Sequence, residues 1–100
     1  MDIQTLTAEM NEFVTAQGWY DSDSPKPQTL RNLAISLSLE AAEVLEHFQW
    51  DDQESDREDL GQELADVALY LLQIASVAGI DLEQAILDKL AHNYGRNWEG

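Results

Sequence analysis

Two acidic pairs set into apolar helical patterns constrain this chain more than any other feature. Glu40-Ala-Ala-Glu43 is followed by nineteen residues and then by Glu63-Leu-Ala-Asp66. Residues three apart are neighbours on one helix face. Two helices folded against each other can therefore bring four carboxylates to one point. Converging anions repel unless a hard cation sits among them, and oxygen-only ligands suit Mg²⁺ or Mn²⁺. Left unneutralised and buried, such a cluster costs on the order of several kcal/mol per charge, so it binds metal or faces water. The pattern points to metal-dependent phosphate chemistry; the competing reading is two separate solvated faces.

The helices that carry these pairs are long and apolar on more than one side. Residues 29–49 have no period-two alternation, which excludes a strand. At about 100° per residue, Leu30, Leu33, Leu37, Ala41, Val44 and Phe48 fall within roughly 60° of one another, while Ile35 and Leu39 lie nearly opposite. A narrow arc between them holds Ser36, Glu40, Glu43 and His47. A third helix runs from about residue 56 to Ala78, opened by a capping-box pattern with Ser55 as N-cap and Glu58 three residues on. Its main stripe is Leu60, Leu64, Val67, Leu71, Ile74 and Ala78, with Glu63, Asp66 and Tyr70 on one flank and Leu69 and Leu72 elsewhere. Gly79 stops it.

The flanking elements are shorter. Residues 2–17 read as an amphipathic helix with Asp2 as N-cap and Gly18 as stop. Residues 21–28, Asp-Ser-Asp-Ser-Pro-Lys-Pro-Gln, carry turn chemistry. Asp81 and Gln84 open a fourth helix that ends near Tyr94-Gly95. The expected fold is all-α, a bundle of about four helices forming one domain over residues 1–100. A chain of 100 residues buries only about 60–65% of its unfolded surface, yet 44% of this one is hydrophobic. Two-faced helices in so small a domain call for a partner copy, as a homodimer or homotetramer.

Charge excludes several classes of partner. Twenty acids against five Lys and Arg give a net charge of −15. That opposes nucleic-acid polymers and anionic lipid, but allows a small anionic ligand once a metal has neutralised the site. There is no cysteine, and thus no thiolate metal site or disulfide. With no apolar run of transmembrane length and no leader pattern, the default expectation is a soluble cytoplasmic protein.

The scarce cations are placed unevenly. Lys89, Asn93 and Arg96 lie along one side of the fourth helix, where they suit phosphate oxygens, although bases are also ordinary at a helix C-terminus. Trp50 and Tyr70 sit near the acidic pairs and can border or stack on a nucleobase; core or interface packing is the plainer role. His47 is a substrate contact, a support for the acids, or a surface histidine. A di-iron bundle is disfavoured, because it needs Glu-x-x-His on each of two helices, His47 is four residues after Glu43, and the third helix has no histidine.

In combination these residues resemble the MazG-like, all-α nucleoside triphosphate pyrophosphohydrolases. That pattern is Glu-x-x-Glu, a spacer, then Glu-x-x-Asp, here Glu40, Glu43, Glu63 and Asp66, followed by Lys89, Asn93 and Arg96. Phe48-Gln49-Trp50 and Asp66-Val-Ala-Leu-Tyr70 are similar to the dCTP pyrophosphatase branch. The resemblance spans Arg31 to Arg96. It implies an active-site four-helix bundle completed by oligomerisation, and the reaction (d)NTP + H₂O → (d)NMP + PPi in nucleotide-pool cleaning or balancing. It also implies that the four carboxylates hold Mg²⁺ and supply the catalytic base, that Lys89 and Arg96 hold pyrophosphate, and that residues before Arg31, with Trp19 at the border, form the base pocket. Two other functions remain open: a non-catalytic acidic helical interaction module, and a related hydrolase of phosphoribosyl-ATP or dUTP.

Overall fold

The computed structural model describes residues 1–53 and 56–95. Among these the chain is all-α, with α1 at Ile3–Ala16, α2 at Leu30–Glu46, α3 at Arg57–Ala78 and α4 at Leu82–Tyr94. The expected N-cap Ser55, together with Arg96 and Trp98, lies outside the described residues.

Local chemistry sets most of the helix ends. Asp2 accepts from Thr5 N at 2.8 Å, Thr29 from Asn32 N at 3.1 Å, and Asp81 from Gln84 N at 3.1 Å. Each bond satisfies a backbone donor that the first helical turn leaves without a partner. At α3 the cap is Asp56, which accepts from Glu58 N and Asp59 N; this corrects the expected cap by one residue. An aspartate there also faces the positive end of the helix dipole. α2 stops at Glu46, three residues short of the expected Gln49. From His47 to Gln49 the backbone N–H groups donate three residues back, to Val44, Leu45 and Glu46, which tightens the chain out of α-geometry.

Two glycines turn the chain where an L side chain is strained. Gly79 has φ +71°, and Ile80 N donates to Ala75 O at 2.8 Å while Gly79 N donates to Ser76 O. The chain then swings through 104° from α3 into α4. Gly18 has φ +74° and closes α1 in the same way, with Trp19 N on Val14 O. That turn lays the Trp19 ring edge-on to Phe13, with centroids 5.6 Å apart.

α2 packs chiefly on α3, while α1 crosses α3 and touches α4. The core cluster is Met10, Val14 and Leu72, with Ile3, Trp19 and Leu82 packed on it. Leu33 is the buried residue of α2. The apolar seam expected on the third helix is corrected here. Leu72, Gln73 and Ala75 are buried, whereas Leu64 and Leu71 of the expected stripe are 52% and 44% exposed. A single stripe suits one partner helix, but α3 is covered by α2 and α1 from different sides. Large apolar side chains stay in solvent, among them Leu39 at 62% and Leu45 at 70%. The radius of gyration is 16.1 Å, above the roughly 13 Å of a compact chain this long. Among the described residues no single helix is long and apolar enough to cross a membrane.

Candidate metal centre and adjoining cavity

α2 and α3 run antiparallel, with Glu43 against Glu63 and Glu40 beside Asp66. Each acidic pair projects from one face of its helix, and the packing of the two helices makes the pairs meet. One carboxylate oxygen from each of Glu40, Glu43 and Glu63 lies within 4.8 Å of the other two. Glu40 and Glu63 are half-buried and Glu43 is exposed. Asp66 stands outside this triad but close enough for its charge to act on Glu40 and Glu63.

The electrostatics are those of crowded like charges. A hydrogen bond with the Glu43 carboxyl, followed by desolvation and the charges of Glu43, Glu40 and Asp66, pushes Glu63 up to about 7. Burial raises Glu40, with Glu43 and Asp66 adding to it. Every influence on these two groups favours the protonated form. Oε2 of Glu40 and Oε2 of Glu63 are buried and accept no hydrogen bond among the described residues. Buried polar atoms normally have partners. Two orphaned acceptors in an all-oxygen cluster of like charge fit a hard divalent cation such as Mg²⁺ or Mn²⁺.

Beside the acids lies a cavity of about 760 Å³, within the range of small-molecule sites. Phe13 and Trp19 line one wall, and Asp66, Tyr70 and Gln73 of α3 line another. Residues 25–28 and the first turns of α2 complete it. The Lys26 ammonium sits 5.2 Å from the centre of the Trp19 ring, within cation–π range.

The structure thus gathers Glu40, Glu43 and Glu63 with Asp66 at their edge, and places Trp19 and Tyr70 in the adjoining cavity. His47 caps α2 and is half-buried. Trp50 is 90% exposed beyond α2 and is absent from the cavity wall. Lys89 is exposed and Asn93 half-buried on α4, which touches α1 and, through Leu82, the core around Leu72 of α3. Phe13, Lys26 and Gln28 fall in the stretch before Arg31 expected to form the base pocket, though none was named singly, while sequence reasoning missed Asn32 and Gln73 as cavity residues. Only Gln73 left a signal, as the polar break in the run Leu71-Leu72-Gln73-Ile74, seven residues and two turns from Asp66.

A profile of the MazG-like family matches residues 35–98. The dCTP pyrophosphatase 1 of Bos taurus is 34% identical over 104 residues, covering 95% of this chain and 57% of that protein. Its Homo sapiens counterpart is 35% identical, with 95% of this chain and 56% of that protein covered. A dATP/dGTP diphosphohydrolase of Salmonella phage PMBT28 is 37% identical over 82 residues, or 82% of this chain and 25% of that protein. The chain spans little more than half the length of the dCTP pyrophosphatases it matches. Among solved structures, a pyrophosphatase from Archaeoglobus fulgidus superposes with a TM-score of 0.76 at 34% identity, covering 96% of this chain and 92% of that one.

Proposed function

This chain belongs to the MazG-like family, and on that premise we propose that it is a Mg²⁺-dependent nucleoside triphosphate pyrophosphohydrolase. It converts (d)NTP and water to (d)NMP and pyrophosphate, with dCTP-like substrates favoured, and acts in the cytoplasm to clean or balance the nucleotide pool. The observation that carries the reading is the meeting of the Glu40, Glu43 and Glu63 oxygens within 4.8 Å, beside a nucleoside-sized cavity that Asp66 lines.

Glu40, Glu43, Glu63 and Asp66 are the proposed ligands of Mg²⁺, with Mn²⁺ as a substitute. A divalent ion bound there supplies positive charge against the triphosphate and acidifies water. Glu63, held near 7 by its neighbours, would have to release its proton to hold such an ion, since ligand carboxyls bind metal ionised. A carboxylate of the cluster then accepts the proton of the attacking water. The water oxygen bonds to the α-phosphorus, the bond from that phosphorus to the bridging oxygen breaks, and pyrophosphate leaves. Trp19 and Tyr70 border the base and sugar in the cavity, with His47 and Trp50 as further substrate contacts.

Lys89, Asn93 and Arg96 are assigned to the leaving pyrophosphate. Because α4 packs on α1 in a single chain, this assignment relies on assembly to bring α4 to the acids. The exposed Ile35, Leu39 and Leu45 of α2 and Leu64 of α3 support a homodimer or homotetramer of this one domain, residues 1–100. The deciding experiment incubates the protein with Mg²⁺ and a panel of dNTPs, widened to dUTP and phosphoribosyl-ATP, and reads pyrophosphate. Release from dCTP above the others is expected. Release from dUTP or phosphoribosyl-ATP alone would reassign the substrate, and no release from any would leave an acidic interaction module.

A further inference from the structure

Gln73 is buried at 4% exposure, lines the cavity, and plays no part in the proposed phosphate chemistry. Its Nε2 donates to Gln28 Oε1 at 2.7 Å, and Gln28 Nε2 donates to the Lys26 backbone carbonyl at 2.6 Å. A primary amide can ordinarily turn over and exchange its donor and acceptor ends. Here it cannot do so freely. A backbone carbonyl only accepts, so Gln28 must give it Nε2 and turn Oε1 toward Gln73. Gln73 must then offer Nε2 to Gln28. Flipping either amide sets oxygen against oxygen or N–H against N–H. The relay therefore fixes the polarity of the Gln73 amide and leaves its Oε1 outside the two bonds.

The spacing along α3 agrees with the dimensions of a nucleotide. Asp66, Tyr70 and Gln73 line the same cavity. Gln73 lies seven residues from Asp66, about 10.5 Å along the helix, with Tyr70 between them. A nucleotide with its phosphate at the acids and its base running along α3 reaches Gln73 with the base edge.

We propose that Gln73, with its amide held in one orientation by Gln28, selects an amino-bearing base over its keto counterpart. Oε1 accepts from the exocyclic amino group of cytosine. At the same place uracil presents a carbonyl oxygen, and two acceptors face each other. This inference rests on the nucleotide reading of the cavity, and takes it to a residue and a chemical group.

The test compares dCTP with dUTP, which differ at that edge, using kcat/KM for hydrolysis and, independently, calorimetric binding of dCMP and dUMP. The wild type should prefer the cytosine form by about tenfold or more in both assays. Gln73→Leu should bring the ratio toward unity, chiefly through a higher KM for dCTP. Gln28→Leu leaves the Gln73 amide in place but free to turn, so it should narrow the ratio by improving dUTP. That asymmetry would not come from a merely structural tie, and the loop variant carries the test if Gln73→Leu fails to fold. Equal use of the two bases by the wild type, or equal losses on both in Gln73→Leu, would overturn the proposal. Selective binding of dCMP without any pyrophosphate release would instead remove the hydrolase reading and leave this inference standing.

Discussion

The two ends of α3 are stabilised in opposite ways. Toward its C-terminus, Leu72 closes on Met10 and Val14 of α1, and Ser76 Oγ accepts from Asn11 Nδ2 at 2.8 Å, with Tyr20 Oη donating to Asn11 Oδ1. Leu72 and Ala75 are covered there, and the polar side chains of Asn11 and Ser76 are partnered. Toward its N-terminus, Glu63 and Asp66 face Glu40 and Glu43 of α2, and one carboxylate oxygen each of Glu40 and Glu63 is buried without a donor among the described residues. There the packing of α2 on α3 holds together groups that repel. One helix thus carries a region that favours folding and, about two turns away, a region of crowded like charge that the proposed cation would neutralise. Cost of this kind at a functional site is a recurring feature of folded proteins.

Perturbing each end should separate the two roles. The largest effect is expected from Asp66→Asn or Glu43→Gln, which should abolish pyrophosphate release from dCTP with helical circular dichroism unchanged. Turnover retained in either purified variant would detach the acids from the reaction. Next, Leu72→Ala should cost about 2–4 kcal/mol in denaturant unfolding, while the molecules still folded keep their kcat. A variant that lost turnover but not stability would reverse the assignment.

A smaller and pH-dependent effect is expected at the acidic end. Glu63 stands near 7 in the folded chain against 4.5 as its ordinary value, and Glu40 is raised too. Between those values the folded state holds protons that the unfolded state has released. The stability linked to this proton is therefore present below about pH 4.5 and lost as pH rises through about 7. Without metal, Tm should fall across that window. Glu63→Gln should flatten the fall, and Mg²⁺ should offset it at neutral pH by binding the folded state. A metal-free Tm that climbed steadily from pH 5 to 7 would contradict the crowding of these carboxyls. The smallest effect belongs to Gly79→Ala, at about 1 kcal/mol from the positive φ alone. Since, among the described residues, nothing beyond its two chain neighbours lies within 4 Å of a Cβ at that position, a much larger loss would mean that the swing into α4 has shifted.

Much of the molecule was legible in the chain. The caps at Asp2 and Asp81, the stops at Gly18 and Gly79 and the two acidic pairs follow from contacts within a turn or two of each residue. The one-residue error at Asp56 shows the limit of that reading, since Ser and Asp are near-equal N-caps. The buried side of α3 was not legible. Leu71 and Leu72 are equally apolar, and the choice between them depends on where α1 crosses. Nor did anything local mark Gln28 as the partner of Gln73, forty-five positions away.

Helical period, capping and the i, i+3 spacing of the carboxylates belong to the sequence itself, because their physics acts over a few neighbouring residues. The convergence of two acidic pairs into one cluster, the cavity opened beside Asp66, the locked amide of Gln73 and the turning of α4 away from the acids were decided by tertiary structure. They depend on how helices distant in the chain cross, and packing energy sums over many contacts that no local window contains.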